Sequence, residues 1–137
     1  MKEVITCLNF DGNCREAMTF YGKCLEAELY LMPYSEAACD SPKEAKDMIA
    51  HASLTKEAPI LMASDAMPGM PFTQGNNFWV NINCESLPEI ERLFTALGEK
   101  GKVVVPLQDM FWGAHFGMLT DQFGINWMFN YERSKVG

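Results

Sequence analysis

A chain of 137 residues can bury one core but not two independent ones, and its 48% hydrophobic and 21% charged residues are ordinary for a globular protein. Eighteen Asp and Glu against eleven Lys and Arg give a net charge of −7 with no basic cluster to offset it, which argues against nucleic acid and anionic membranes as partners. Met1-Lys2-Glu3 leads into a short apolar stretch that stops at Asp11 and does not read as a signal peptide. No apolar run approaches the roughly 20 residues that span a bilayer, so a cytoplasmic protein is expected.

In chain order, residues 4–10 form a short strand pattern, and Asn13-Cys14-Arg15-Glu16 follows as a capping box. Ala17, Phe20, Tyr21, Cys24 and Leu25 then recur at the spacing of one helical face. Three strand-like segments come next, at residues 28–33, 48–55 and 60–64. Between the first two, residues 34–47 are polar, and Ser41-Pro42-Lys43-Glu44 has the composition of a capped helical turn. Residues 65–77, rich in Gly, Pro and Met, form a linker.

The second half repeats this order. A strand pattern at 78–84 leads into Ser86-Leu87-Pro88-Glu89, a second capping box with Pro in the first turn. Ile90, Leu93, Phe94 and Leu97 make the helical face, and Gly98 and Gly101 stop it. Strand-like segments follow at 102–107, 113–120 and 125–131. Even letters match: Ala50-His51-Ala52-Ser53-Leu54-Thr55 lies beside Ala114-His115-Phe116-Gly117-Met118-Leu119-Thr120 with one residue inserted. This places His51 and His115 at equivalent points of the two repeats.

The pattern predicts an α+β fold of two βαβββ modules whose curved mixed sheets surround a cleft, one domain over residues 1–137. Module one covers about 1–66, the linker 67–76 and module two 77–133. The five cysteines, Cys7, Cys14, Cys24, Cys39 and Cys84, have no metal-type spacing and read as reduced, partly buried thiols. Most of the ten methionines read as core filling.

With these residues in place the chain resembles the vicinal oxygen chelate superfamily, the glyoxalase and bleomycin-resistance fold, and within it the PhnB-like branch. The strings that carry the resemblance are Asn9-Phe10-Asp11-Gly12-Asn13, Phe20-Tyr21, Ile49-Ala50-His51-Ala52, Met62-Ala63-Ser64-Asp65-Ala66-Met67-Pro68, Phe111-Trp112-Gly113 and Thr120-Asp121-Gln122-Phe123-Gly124-Ile125-Asn126-Trp127. The resemblance implies one of two chemistries: a divalent metal that polarises vicinal oxygens of a substrate, or metal-free sequestration of a flat or hydrophobic compound. It places the metal ligands near Thr6 or Leu8, near Phe78 or Trp79, and at Met128, none of which is a usable ligand. The branch also carries a label of ubiquinone-type methyl transfer, but no GxGxxG turn or βαβ alternation for a methyl donor is present.

The expected function is therefore small-molecule binding without a catalytic metal or other cofactor, by a protein that the resemblance implies is a homodimer. The residues expected to face the ligand are His51, Met62, Ser64, Asp65, Trp79, Asn81, Trp112, His115, Trp127 and Asn130. The tryptophans offer stacking surface, and Asn81 and Asn130 lie in strands, where Asn is disfavoured and needs a polar partner. Asp65 reads either as a general base or as a carboxylate bonded to its own turn. Two other classes stay open: a metal-dependent lyase or dioxygenase using His51, His115 and a carboxylate, and a structural or regulatory domain that binds another protein.

Overall fold

A computed structural model describes residues 1–37 and 45–133. The capped turn expected at Ser41-Pro42-Lys43-Glu44, and Cys39, lie outside the described residues. The chain divides into two compact units, Met1–Gln74 and Gly75–Gly137.

The first unit contains β1 (Cys7–Phe10), α1 (Cys14–Leu25), β2 (Glu28–Pro33), a 3-10 turn (Tyr34–Glu36), β3 (Ile49–Lys56) and β4 (Ala58–Asp65). The second contains β5 (Val80–Asn83), α2 (Leu87–Leu97), β6 (Lys102–Asp109), β7 (Ala114–Thr120) and β8 (Asn126–Glu132). Each unit is thus βαβββ. The sheets have matching orders, β1-β4-β3-β2 and β5-β8-β7-β6. In each, the opening strand runs parallel to the last strand and every other pairing is antiparallel. This is the mixed α+β architecture that the repeat predicts.

Strand alternation sorts each sheet into a face under its helix and a face away from it. In the first unit Leu8, Phe10, Ala52, Leu54, Leu61 and Ala63 are buried on the helix side. They meet Cys14, Ala17, Met18, Tyr21 and Cys24, the buried stripe of α1. Met18 belongs to that stripe, whereas Phe20, expected on it, is only half-buried. In the second unit Leu119, Trp127 and Phe129 pack beneath Ile90, Leu93 and Leu97. Gly117 lies where a Cβ would come within 2.8 Å of both Phe94 and Leu107, so only glycine lets α2 approach β7 this closely.

The two helices begin differently. At α2 the predicted box forms: the Glu89 amide donates to Ser86 Oγ at 3.2 Å, and Glu89 Oε1 accepts from the Glu85 amide at 2.8 Å. At α1 the predicted box does not form, because Asn13 makes no side-chain cap bond. Asp65, at the end of β4, takes its place. Its Oδ1 accepts from the amides of Gly12 and Cys14, both at 3.0 Å, and its Oδ2 from the amide of Ile49 at 2.9 Å. A carboxylate at a helix N-terminus also meets the positive end of the helix dipole.

Removing that carboxylate strands up to three amides, at about 1–3 kcal/mol each. Asp65→Ala is expected to lower unfolding free energy by about 3–5 kcal/mol in urea titration, and Asn13→Ala by less than about 0.5 kcal/mol. Equal losses in the two variants would contradict this assignment of the cap.

Candidate functional site

The residues expected to face a ligand separate by face. In the first sheet His51, Met62 and Ser64 lie on the side away from α1. Met62 pairs with Ser53 and Cys7, Ser53 with Tyr30, and His51 with Met32, so one apolar and polar row crosses all four strands beside the histidine. The His51 ring lies 6.3 Å from that of Tyr30. Its nitrogens make no hydrogen bond among the described residues, although the residue is only partly exposed. Ser64 Oγ contacts Asn9 Oδ1 at 3.5 Å, a weak bond.

In the second sheet Asn81 and Asn130 lie on the side away from α2, since Asn81 pairs with Met128 and Asn83 with Asn130. Asn81 donates to Asn83 Oδ1 at 2.9 Å. Phe116 is opposite Asn130, and Met118 opposite Met128. Trp112, 54% exposed in the β6–β7 turn, packs edge-on against Phe116 with centroids 6.1 Å apart, and against Phe111, which is 96% exposed. Trp79 is half-buried just ahead of β5.

Three expected site residues are placed otherwise. Trp127 is 1% exposed on the helix side, and its indole N–H donates to Asp121 Oδ2 at 2.8 Å. Asp121 Oδ1 accepts from the amides of Phe123 and Ile125, so this buried carboxylate organises the β7–β8 turn as Asp65 organises the first unit. Asp65 itself bonds distant backbone rather than its own turn, with both oxygens engaged.

His115 is the third. Pairing sets Leu54 opposite Leu61, and Leu119 opposite Trp127, all on the helix sides. His51 is three residues before Leu54, whereas His115 is four before Leu119. The inserted residue therefore shifts the phase, leaving His51 on the open side and turning His115 to the helix side. The equivalence expected for the two histidines does not hold. His115 Nδ1 bonds Asp109 Oδ1 at 2.9 Å, and Arg133 reaches the same oxygen at 2.8 Å. The His115 hydrogen bond and the Arg133 charge hold the Asp109 carboxyl below its usual range.

A shallow depression of about 460 Å³ beside the start of α1 is bordered by Gly12, Arg15, Glu16, Thr19, Asp47 and Asp65, of which only Asp65 was expected at a site. It lies on the helix side of the first sheet, and Asp65, its deepest acid, is engaged with backbone amides. Among the described residues no three His, Cys, Asp or Glu side chains stand close enough to hold a metal ion. No described helix is long and apolar enough to cross a membrane.

Paired βαβββ units, each with one helix-covered sheet face and one face of amide, thioether and aromatic side chains, define a glyoxalase-like fold. The family model described as 3-demethylubiquinone-9 3-methyltransferase matches residues 2–129. Protein YjdN of Escherichia coli is 33% identical, over 93% of this chain and 94% of its own. Protein PA1353 of Pseudomonas aeruginosa is 40% identical with a TM-score of 0.88, over 98% of this chain and all of its own. A PhnB protein of Bacillus cereus is 25% identical with a TM-score of 0.76, over 95% of this chain and 99% of its own. The chain belongs to this PhnB-like family, and it shares its fold with a glyoxalase/bleomycin resistance/dioxygenase family protein of Burkholderia phytofirmans.

The described cysteines are free thiols, and three of them are buried. Burial, with the Asp65 charge adding to it, pushes the Cys14 thiol up to about 12, and burial with Glu89 pushes Cys84 up to about 11. Burial also raises exposed Cys7, though less. Native protein treated with iodoacetamide at about pH 8 is expected to be alkylated at Cys7 well before Cys14, Cys24 or Cys84, as read by peptide mass spectrometry. The unfolded Cys14 thiol ionises near its ordinary 9.0 and the folded one near about 12, so the native state loses stability as pH rises between them. Early labelling of Cys14 would contradict the burial of α1.

Proposed function

We propose that the protein binds a small organic molecule on the open faces of its sheets and does so without a catalytic metal. The observation that carries this reading is His51. It is a partly sheltered imidazole with no hydrogen-bond partner among the described residues, set beside Tyr30 and Met32 on a sheet face that its helix does not cover. A polar group in such surroundings acquires a partner at a net gain when a ligand supplies one. The Asn130 side chain, also without a protein partner among the described residues, stands beside Phe116 in the same situation.

Methyl transfer, named in the family's description, forms no part of the reading, because neither strand-to-helix turn carries the glycine fingerprint of a nucleotide-type cofactor. The same proposal includes a single-domain, cytoplasmic homodimer, as length, charge and superfamily membership suggest.

Protein purified without added metal is expected to contain only substoichiometric Zn, Ni, Mn or Fe by elemental analysis. A screen of quinones, aromatic metabolites and antibiotics should yield compounds that raise the melting temperature by several degrees near 100 times Kd, corresponding to about 2.7 kcal/mol. His51→Ala should weaken these effects without lowering the melting temperature of the free protein. Stoichiometric tightly bound metal that is lost with His51→Ala or His115→Ala would overturn the metal-free reading. A screen in which another protein stabilises the chain and no small compound does would overturn the binding reading.

A further inference from the structure

The open face of the second sheet has a chemical polarity that points to the class of molecule it takes. Side chains two apart on a strand share a face at about 7 Å spacing, close enough for short amides to meet. Asn81 and Asn83 do so, with one hydrogen bond of 2.9 Å between them. That bond uses one donor of the pair and one acceptor. Whichever amide donates, the pair still offers one carbonyl oxygen and one NH2 group to its surroundings. Asn130, the cross-strand neighbour of Asn83, adds a third amide with no protein partner among the described residues.

Beside this amide edge the same face is apolar. Met128 is the neighbour of Asn81, Met118 lies opposite Met128, and Phe116 lies opposite Asn130 with Trp112 against it. Neither of the two central rows, Gln108–Phe116–Asn130–Asn83 and Val105–Met118–Met128–Asn81, contains a charged side chain. A carboxylate or ammonium group held over these two rows would lose hydration with no counter-ion within them, the charges of this face, Lys102 and Glu132, standing one row out on either side, and the net charge of −7 disfavours anions further.

We infer that this face selects an uncharged planar molecule with a hydrogen-bond donor and acceptor on one edge, the pattern of a lactam or an aromatic carboxamide. The ring lies over the Met118, Met128 and Phe116 side chains, and the edge meets the amides of Asn81, Asn83 and Asn130. This inference rests on the proposed reading of the open faces as ligand-binding surfaces and adds the ligand class.

The test uses two flat bicyclic probes of similar size, the lactam 2-quinolone and the anion 2-naphthoate, titrated into full-length protein by NMR with side-chain amide resonances observed. The expected result is saturable binding of 2-quinolone with shifts at the Asn83 and Asn130 side-chain amides, and binding of 2-naphthoate weaker by at least about tenfold, the size of one lost hydrogen bond. Asn83→Asp keeps an acceptor for the Asn81 amide but removes the outward donor, and should weaken 2-quinolone about tenfold. Asn83→Ala provides a second variant without the added charge and should weaken it similarly. Equal binding of the two probes, or unchanged 2-quinolone affinity in both variants, would overturn the inference. Absence of lactam binding while other compounds still bind in a His51-dependent way would also overturn it and leave the broader reading standing. Absence of binding by any small compound would fail both.

Discussion

The Asp65 carboxylate is the interaction on which the first unit depends. Three amides from separate parts of the chain converge on it: Gly12 and Cys14 at the entrance to α1, and Ile49 at the start of β3. Each would otherwise be a wholly or partly buried donor, and an unpaired buried donor costs more than a typical hydrogen bond contributes. The carboxylate therefore fixes where α1 begins relative to the sheet, and with it the seating of the buried α1 stripe, Met18 and Tyr21 included, over β3 and β4. Asp121 has the corresponding role in the second unit, tying the β7–β8 turn to the indole of Trp127. Both acids are almost fully buried, and each organises neutral N–H donors around it, three backbone amides at Asp65, and two amides and an indole at Asp121.

These anchors settle which side of each sheet belongs to the core, and so what is left for function. With Leu8, Phe10, Leu54 and Leu61 under α1, alternation sends His51, Met62 and Ser64 outward. With Leu119, Trp127 and Phe129 under α2, it sends Asn81, Asn83, Phe116, Met118, Met128 and Asn130 outward. A sheet face of methionine, phenylalanine and amides is neither a purely hydrated surface nor a dry interface. Its apolar part rewards contact, and its amides set the direction of that contact.

Much of the architecture was legible in the sequence because its signals are local. Residues 28–33 read as a strand and are β2 to the residue, and the Ser86–Glu89 box caps α2 because both partners lie within one turn. The signals that misled were non-local or depended on phase. The cap of α1 comes from a residue 51 positions beyond Cys14, which no short motif can announce, so Asn13 and Glu16 suggested a box that the fold replaces. The matched Ala-His strings suggested symmetric histidines, but one inserted residue reverses which face a strand residue takes. Among three tryptophans the one fully buried could be picked out only by counting alternation from Leu119 and by noticing Asp121 as the partner for its indole.

In the proposed reading the binding groups are the open-face side chains themselves rather than a metal ion. The most direct measurement is the affinity of one screened ligand before and after divalent metals are stripped from the protein with a chelator. The account predicts the same dissociation constant in both states. Binding lost on stripping and restored by adding back a single divalent metal would contradict it.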